Sequence, residues 1–557
     1  MPLGDAAVAI ELGRTIDPAI NARVLALDRA VAEAMLPGVV ELVPTYRSLL
    51  VHYDPLVVAY EELATDLRGI VERGPNGAGG DTWVSEPEGG PRPIATAAAV
   101  EVPVVYGGEW GPDLPEVARR AGLTDDEVMR RHAAGDYRVA MLGFAPGFPY
   151  LMGMDPTIAC PRLSTPRVRV PAGSIGIADT QTGIYPFAMP GGWRLVGRTS
   201  LRLFDPAAEP PALLPPGANV RFVPVAESDL PAPWTDEIDR AADADQGIRV
   251  LEPGFLATVQ DAGRRGYQRF GVPPSGAADR GALAAGNAAL GNPSGAAAVE
   301  ITAGGAAFVF LVARSFALSG AALEARLDGR AVPPGAPVPA AIGQRLQLGR
   351  PRSGLRSYLC VAGGIDVPVV LGSRSTYLPA GFGGFGGRPL RTGDLLPVGS
   401  IRVAAGRPPG SGSPPPATER VPTTGHPASP LELPFVPSGQ WEDFPATARR
   451  AFVDRRWQVS HRSDRIGLRL GGQPLPIGSL DRRFVSDGTV TGAIQVAGDG
   501  LPIVLLVDRQ TTGGYPKLGA VASVALDLLG QAQPGDEVVF RPMRLAAAQQ
   551  ALRAPAM

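Results

Sequence analysis

The sequence predicts an α+β chain that is mainly β, headed by a small α/β sandwich. Three observations predict this. Glycine fills 71 and proline 59 of the 557 positions, which supplies the turns of many short strands rather than of helical bundles. Residues 7–75 alternate strand-like and helix-like periodicity in the order βαββα. Two short motifs recur in the same order far apart in the chain, the mark of a duplicated unit.

The elements follow in order. Ala7–Leu12 reads as a strand, and Asp17-Pro18 reads as an N-cap and first helical residue for a helix to Met35. Val39–Pro44 and Tyr46–Tyr53 read as a hairpin, and Val58–Arg73 as a second helix. Gly74–Arg92 is polar and rich in Gly and Pro, as linkers are. A second unit opens with the strand Val102–Tyr106, followed by helices over Leu114–Ala121 and Thr124–Ala134, where Thr124 and Glu127 form a capping box. The strand Tyr137–Phe144 runs into Ala145-Pro146-Gly147-Phe148-Pro149-Tyr150-Leu151. Beyond lie Arg169–Ala178, Gln181–Pro186 and Pro215–Phe222.

The repeat is carried by two pairs of motifs. Gln181-Thr-Gly-Ile-Tyr-Pro186 echoes Gln510-Thr-Thr-Gly-Gly-Tyr-Pro516, and Pro216–Phe222 echoes Pro534–Phe540. On this reading Lys517 follows the second Tyr-Pro where Phe187 follows the first. A third unit starts at Ile248, with a helix over Asp279–Leu290 and a strand over Ala298–Thr302. A fourth includes a helix near Pro445–Phe452 and the apolar strand Leu501–Val507. The domains expected are 1–92, 93–225, 248–405 and 431–557, with linkers at 226–247 and 406–430.

Composition excludes several classes. With 52 basic and 54 acidic residues the net charge is -2, so no basic nucleic-acid footprint is present. No run approaches the ~18 apolar residues of a membrane span. Met1-Pro2-Leu3-Gly4-Asp5 lacks the basic and apolar regions of a signal peptide. Cys160 and Cys360 build no disulfide framework, and no Cys/His spacing suits a metal, so none is expected. A cytoplasmic location is the expectation.

One residue stands apart. Lys517 is the single lysine of a chain whose other basic side chains are arginines. A lysine needed only for charge is replaceable by arginine; one needed for its compact ammonium is not. It follows a strand and a loop punctuated by Gly513, Gly514 and Pro516, a scaffolded loop of the kind that carries sites.

The run Phe144–Leu151, with Arg169–Ser174 and Gln181–Pro186, resembles the B subunit of bacterial 5-oxoprolinase, whose family includes the sporulation kinase A inhibitor. Thr258–Tyr267, Gly271–Asp279, Val299–Thr302, Val361–Asp366, Gly372–Thr376 and the Lys517 loop resemble the C subunit of the same enzyme. The chain thus resembles a B–C fusion, related to the carboxyltransferase part of urea carboxylase. The resemblance implies three cyclophilin-like β-barrel domains after the sandwich. It implies ATP-dependent opening of 5-oxoproline to L-glutamate with a separate partner like the 5-oxoprolinase A subunit, and leaves room for a homo-oligomer. ATP with Mg2+ is the implied cofactor, held by this chain or by the complex. The alternatives are a carboxyltransferase component of a biotin-dependent system and a binding protein that restrains a sensor histidine kinase.

Expected catalytic groups are Lys517, to stabilise oxygen charge; His132, at a helix end; and Glu300, a carboxylate inside an apolar strand that needs a partner such as Arg265 or Arg374. Arg169 and Arg465 suit a bidentate grip on a substrate carboxylate. Gln181, Tyr185, Gln510 and Tyr515 are neutral donors on the repeated loops. Gly381-Phe-Gly-Gly-Phe-Gly386 opens no helix and is rejected as a dinucleotide loop, and no P-loop exists. Lys517 follows Tyr-Pro, not the setting of a biotinyl lysine, so no covalent biotin is expected.

Overall fold

The computed structural model describes residues 1–74, 98–230, 246–401, 430–478, 480 and 484–554. Of the expected linkers, residues 75–92, 231–245 and 406–429 lie outside the described residues. The strand ladders sort into four units.

The first unit is the expected sandwich. Strand Ser48–Tyr53 pairs antiparallel with Ala7–Glu11 on one side and Val39–Pro44 on the other. Helix Pro18–Glu33 begins where the Asp17 carboxylate accepts the N–H groups of Ala19 (2.7 Å) and Ile20 (3.1 Å), a cap that satisfies two otherwise unpaired donors. Its stripe Val24, Leu27 and Val31, and the stripe Leu63, Leu67 and Ile70 of helix Tyr60–Arg73, close over Leu49, Val51 and Tyr53.

Units two and four are closed barrels of seven strands and identical connectivity. Around the first, the order is 194–198, 100–106, 219–224, 137–142, 149–152, 181–184, 174–178. Around the second it is 517–521, 431–437, 537–542, 457–459, 467–471, 502–505, 493–496. In both, the first strand runs parallel to the last, Val100 beside Val220 and Leu431 beside Val538. This confirms the duplication and the pairing of Pro216–Phe222 with Pro534–Phe540. It corrects the other echo. Gln181 opens the strand equivalent to 502–505, whereas Lys517 opens the strand equivalent to 194–198. Across the second barrel the register runs Arg469, Ile503, Gln495, Lys517; across the first it runs Tyr150, Gly183, Gly176, Leu195. The counterpart of Lys517 is therefore Leu195, not Phe187. The local string misled because strand equivalence is set by ladder register, which a loop motif does not encode.

The third unit is built differently from the third barrel expected. Its nine strands form one sheet, ordered 256–260, 298–302, 345–361, 306–310, 248–253, 395–396, with strand 314–327 laid along 345–361 and carrying two short strands of its own. These two long strands shift register around Gly320, Ala322 and Leu323, and such bulges bend a strand. Val250, Val259, Ile301, Phe308, Phe316 and Leu359 fill its core.

His132 belongs to the first barrel's interior. It sits on helix Asp125–Ala133, begun by the Thr124 hydroxyl accepting from the Glu127 N–H at 3.2 Å. Its Nδ1 meets the Tyr106 hydroxyl at 2.8 Å and its Nε2 the Thr182 hydroxyl at 3.0 Å, and Phe222 packs on the ring. Burial lowers its pKa to about 3. In the unfolded chain a histidine titrates near 6.5, so its contribution to stability is complete above that pH and is lost as pH falls toward 3. We expect stability to drop by about 1.4 kcal/mol per pH unit per such histidine in that window. Urea titrations at pH 7, 6 and 5 on wild type and His132→Gln check this; the variant's pH slope should be shallower by about one proton.

Candidate active site

A cleft of about 400 Å³ opens between the two barrels, bordered by the third unit, a size ordinary for small-molecule sites. The first barrel supplies Phe144, Ala145, Pro146 and the segment Phe187–Pro190; the third unit supplies Tyr377 and Pro379. The second barrel supplies the floor. Register places Arg469, Ile503 and Gln495 side by side on adjacent strands, hence on one face, and all three line the cleft. The equivalent row of the first barrel carries Tyr150, two glycines and Leu195, and joins an aromatic cluster with Tyr46, Phe148, Tyr185 and Trp193. One face has become polar and its twin has become core.

The polar groups differ in how they are committed. Arg469 is exposed and has no ion-pair partner among the described residues. Gln495 is 6% exposed, and its Nε2 has no hydrogen-bond acceptor among the described residues. Gln510 is half-buried and Tyr515 is 46% exposed. Asp508 is buried, and Arg465 grips it through Nε at 2.8 Å and Nη2 at 3.3 Å.

Behind Asp508 runs a buried charge network joining the third and fourth units. Arg465 also binds Glu300 and the Gly276 carbonyl at 2.6 Å. Glu300 accepts from the Ala278 N–H at 2.9 Å and the Tyr358 hydroxyl at 2.8 Å, with Arg356 at 3.6 Å. Burial pushes the Glu300 carboxyl up, but Arg465 and Arg356, joined by the Ala278 N–H and the Tyr358 hydroxyl, together hold it below the ordinary range. The partner of Glu300 is thus Arg465 rather than Arg265 or Arg374. Two residues expected at separate tasks form one ion pair.

Lys517 lies one strand beyond Gln495 in the same row but outside the cleft. Its side chain is 3% exposed and its Nζ binds Asp487. Asp487 also receives Gln440 Nε2 at 3.2 Å and faces Arg47 of the first unit at 3.6 Å; Arg47 in turn pairs with Glu11 at 3.1 Å. The ammonium lines a separate cavity of about 30 Å³ at the seam of the first and fourth units, room for little more than one water.

The remaining expected residues are not brought to the cleft. The Gln181 side chain accepts from the Tyr46 hydroxyl at 2.8 Å and ties the sandwich to the first barrel. Tyr185 is buried, its pKa raised by burial to about 12, its hydroxyl held by the Trp193 backbone. Arg169 is exposed on strand Arg167–Val170, away from the lining. His132 is enclosed as described. Gln510, Tyr515 and, through Asp508, Arg465 and Glu300 are the expected residues that the fold assembles here. Arg469, Gln495 and Asp508 were missed. A polar residue within the apolar strand Ala493–Val496 was the available signal for Gln495; nothing local marked Arg469.

Among the described residues the glycine-rich run does not form a phosphate-binding loop at a helix start. The Gly381–Gly386 run borders a cavity of about 230 Å³ with Phe187, Arg202 and Phe204, but it follows the short turn Leu378–Ala380 and leads into no helix. The single lysine is bound to Asp487. Among the described residues no group of three or more His, Cys, Asp or Glu side chains is placed to hold a metal ion, and no helix is long and apolar enough to cross a membrane.

Two barrels of one topology, sharing a cleft whose polar row comes from the second of them, define a tandem-barrel protein. Family comparison agrees. Residues 1–214 match the carboxyltransferase domain, subdomain C and D, and residues 270–542 match the carboxyltransferase domain, subdomain A and B. The 5-oxoprolinase C subunit of Escherichia coli (strain K12) is 40% identical over 293 residues, 53% of this chain and 90% of that protein. The 5-oxoprolinase B subunit of Bacillus subtilis (strain 168) is 44% identical over 230 residues, 41% of this chain and 94% of that protein. The crystal structure of TTHA0988 superimposes with a TM-score of 0.78 at 34% identity, covering 96% of this chain and 99% of that one. The chain belongs to the carboxyltransferase-domain family of the B and C subunits of 5-oxoprolinase, and joins both in one polypeptide.

Proposed function

We propose that this chain is the B–C component of an ATP-dependent 5-oxoprolinase, opening 5-oxoproline to L-glutamate together with a separate A subunit, and that the inter-barrel cleft holds the substrate. The observation that carries the assignment to the cleft is the row Arg469, Ile503, Gln495. It places an uncommitted cation, an apolar surface and an uncommitted amide donor on one face of one cleft. 5-Oxoproline is a small ring bearing one carboxylate and one lactam. Arg469 receives the carboxylate, whose geometry a guanidinium fork matches. Ile503, Leu505, Phe144 and Met189 cover the ring methylenes. Gln495 and Gln510 donate toward the lactam oxygen, where negative charge grows as the amide is opened. Lys517 acts through the seam, fixing the edge of the strand next to Gln495.

On this reading the nucleotide is held by the partner polypeptide, and the cleft residues bind and orient 5-oxoproline. The family description also favours a second reading, a carboxyltransferase component of a biotin-dependent system. The first is preferred because relatives at 40% and 44% identity, matched over 90% and 94% of their length, are 5-oxoprolinase subunits. The two readings separate in one assay. Mixed with its A subunit, the full chain should give ATP cleavage stimulated by 5-oxoproline and glutamate in equal amount, with neither component active alone. Turnover that instead requires a biotinylated carrier and bicarbonate would move the chain to the second reading.

A further inference from the structure

Asp508 and Gln495 face the same cleft with opposite hydrogen-bonding character. Asp508 follows strand 502–505 and Gln495 stands opposite Ile503 of that strand. The Asp508 carboxylate is 2% exposed, and Arg465 takes one direction on each of its oxygens. A carboxylate paired with a guanidinium offers acceptors only, about two per oxygen, so acceptor capacity remains after Arg465 is served. Asp464, the other acid in the lining, is exposed, and its Oδ1 accepts from the N–H groups of Ile466 at 2.8 Å and Gly467 at 3.0 Å, so Asp508 is the buried acceptor of the two. Gln495 Nε2 is the complementary feature, a buried donor with no acceptor among the described residues. A buried donor left unpaired is costly, and a ligand carbonyl would relieve it.

We infer that Asp508 and Gln495 together read an unsubstituted amide, Asp508 accepting from the lactam N–H and Gln495 donating to the lactam C=O, so that the cleft selects the secondary lactam against N-alkyl lactams and lactones. The inference rests on 5-oxoproline being the substrate of this cleft. A lactone places a ring oxygen where the N–H stood, setting lone pairs against the Asp508 carboxylate. An N-methyl group removes the donor and occupies its space. Sites that pair a buried polar group with one substrate atom reject analogues lacking that atom strongly. Glu300 enters as a positioning residue. It lies in the third unit and touches no cleft atom, yet with Arg465 it fixes the direction in which Asp508 presents its free lone pairs.

The test is calorimetric titration of the full chain in complex with its A subunit, using 5-oxoproline, N-methyl-5-oxoproline and the corresponding five-membered lactone carboxylate. Wild type should bind the lactam at least about 100-fold more tightly than either analogue. Asp508→Asn keeps one of the two oxygens that Arg465 contacts, gives up the other contact, and turns an NH2 toward the ligand. It should weaken the lactam and strengthen the lactone until the two bind within about threefold of each other. Glu300→Gln should lower the lactam/lactone ratio in the same direction without reaching Asp508→Asn, an effect that simple destabilisation would not produce. Equal binding of all three compounds by wild type would overturn the inference while leaving the substrate reading intact, and needs no variant to fold. Undiminished lactam preference in a folded Asp508→Asn would overturn it too. Binding of none of the three would remove the substrate reading, and the inference with it.

Discussion

Lys517→Met is expected to lower the stability of the C-terminal barrel and its seam with the N-terminal sandwich by about 3–5 kcal/mol, the cost of breaking a buried ion pair from one side. The substitution fills the same space but leaves Asp487 buried, with Gln440 at 3.2 Å and Arg47 at 3.6 Å as its remaining partners. Arg47 is itself shared with Glu11, so it offsets only part of the loss. Lys517→Arg should do little better. The larger planar group must enter a cavity of about 30 Å³, and its fork does not reproduce a point ammonium against one carboxylate oxygen. Removing both charges, in Asp487→Asn with Lys517→Met, should recover most of the stability, because no buried charge is then left without a partner. Denaturant unfolding followed by a probe in the C-terminal barrel measures this. A Lys517→Met protein with wild-type stability and no turnover would reverse the assignment and return the ammonium to chemistry.

The sequence showed much of the local structure and little of the site, for a physical reason. Caps are short-range: Asp17-Pro18 and Thr124 marked helix starts that the structure places within a residue. Alternation and apolar runs are short-range too, and strand Ala298–Thr302 falls where it was expected. The rarity of lysine drew attention to position 517 as a catalytic group, but what the ammonium meets depends on Asp487 and on Arg47 from another unit. Glu300 needed a partner, and the partner lies 165 positions away at Arg465. The cleft face is a row across three strands, and a row exists only once register is fixed. Gln495 carried a weak local signal, a polar residue in an apolar strand, but Arg469 carried none, and neither could be placed on a shared face before that. His132 illustrates the converse: a histidine at a helix end reads alike whether it meets solvent or Tyr106, Thr182 and Phe222 in a core.

The first barrel explains why a duplicated fold bears one cleft face. Where the second barrel has Arg469, Ile503, Gln495 and Lys517, the first has Tyr150, Gly183, Gly176 and Leu195. The glycines admit the Trp193 ring close to the sheet: a Cβ on Gly176 would meet the Trp193 Cβ at 2.9 Å and one on Gly183 would meet its ring at 3.1 Å. That packing buries the aromatic cluster against Tyr46 of the sandwich. The first barrel thereby serves as a rigid wall for the second.

The claim on which the rest depends is that Arg469 receives the carboxylate of 5-oxoproline in the inter-barrel cleft, and Arg469→Leu tests it most directly. Arg469 is exposed and has no ion-pair partner among the described residues, so its loss should leave the melting temperature unchanged, as should Arg462→Leu, an exposed arginine outside the lining. Hydrogen bonds to charged groups contribute about 1.5–3 kcal/mol, so Arg469→Leu should weaken 5-oxoproline between about 10-fold and 150-fold. The change should appear in KM and in kcat/KM of the reconstituted 5-oxoprolinase complex, while Arg462→Leu matches wild type. Wild-type KM and turnover in a folded Arg469→Leu protein would contradict the account and place the substrate elsewhere.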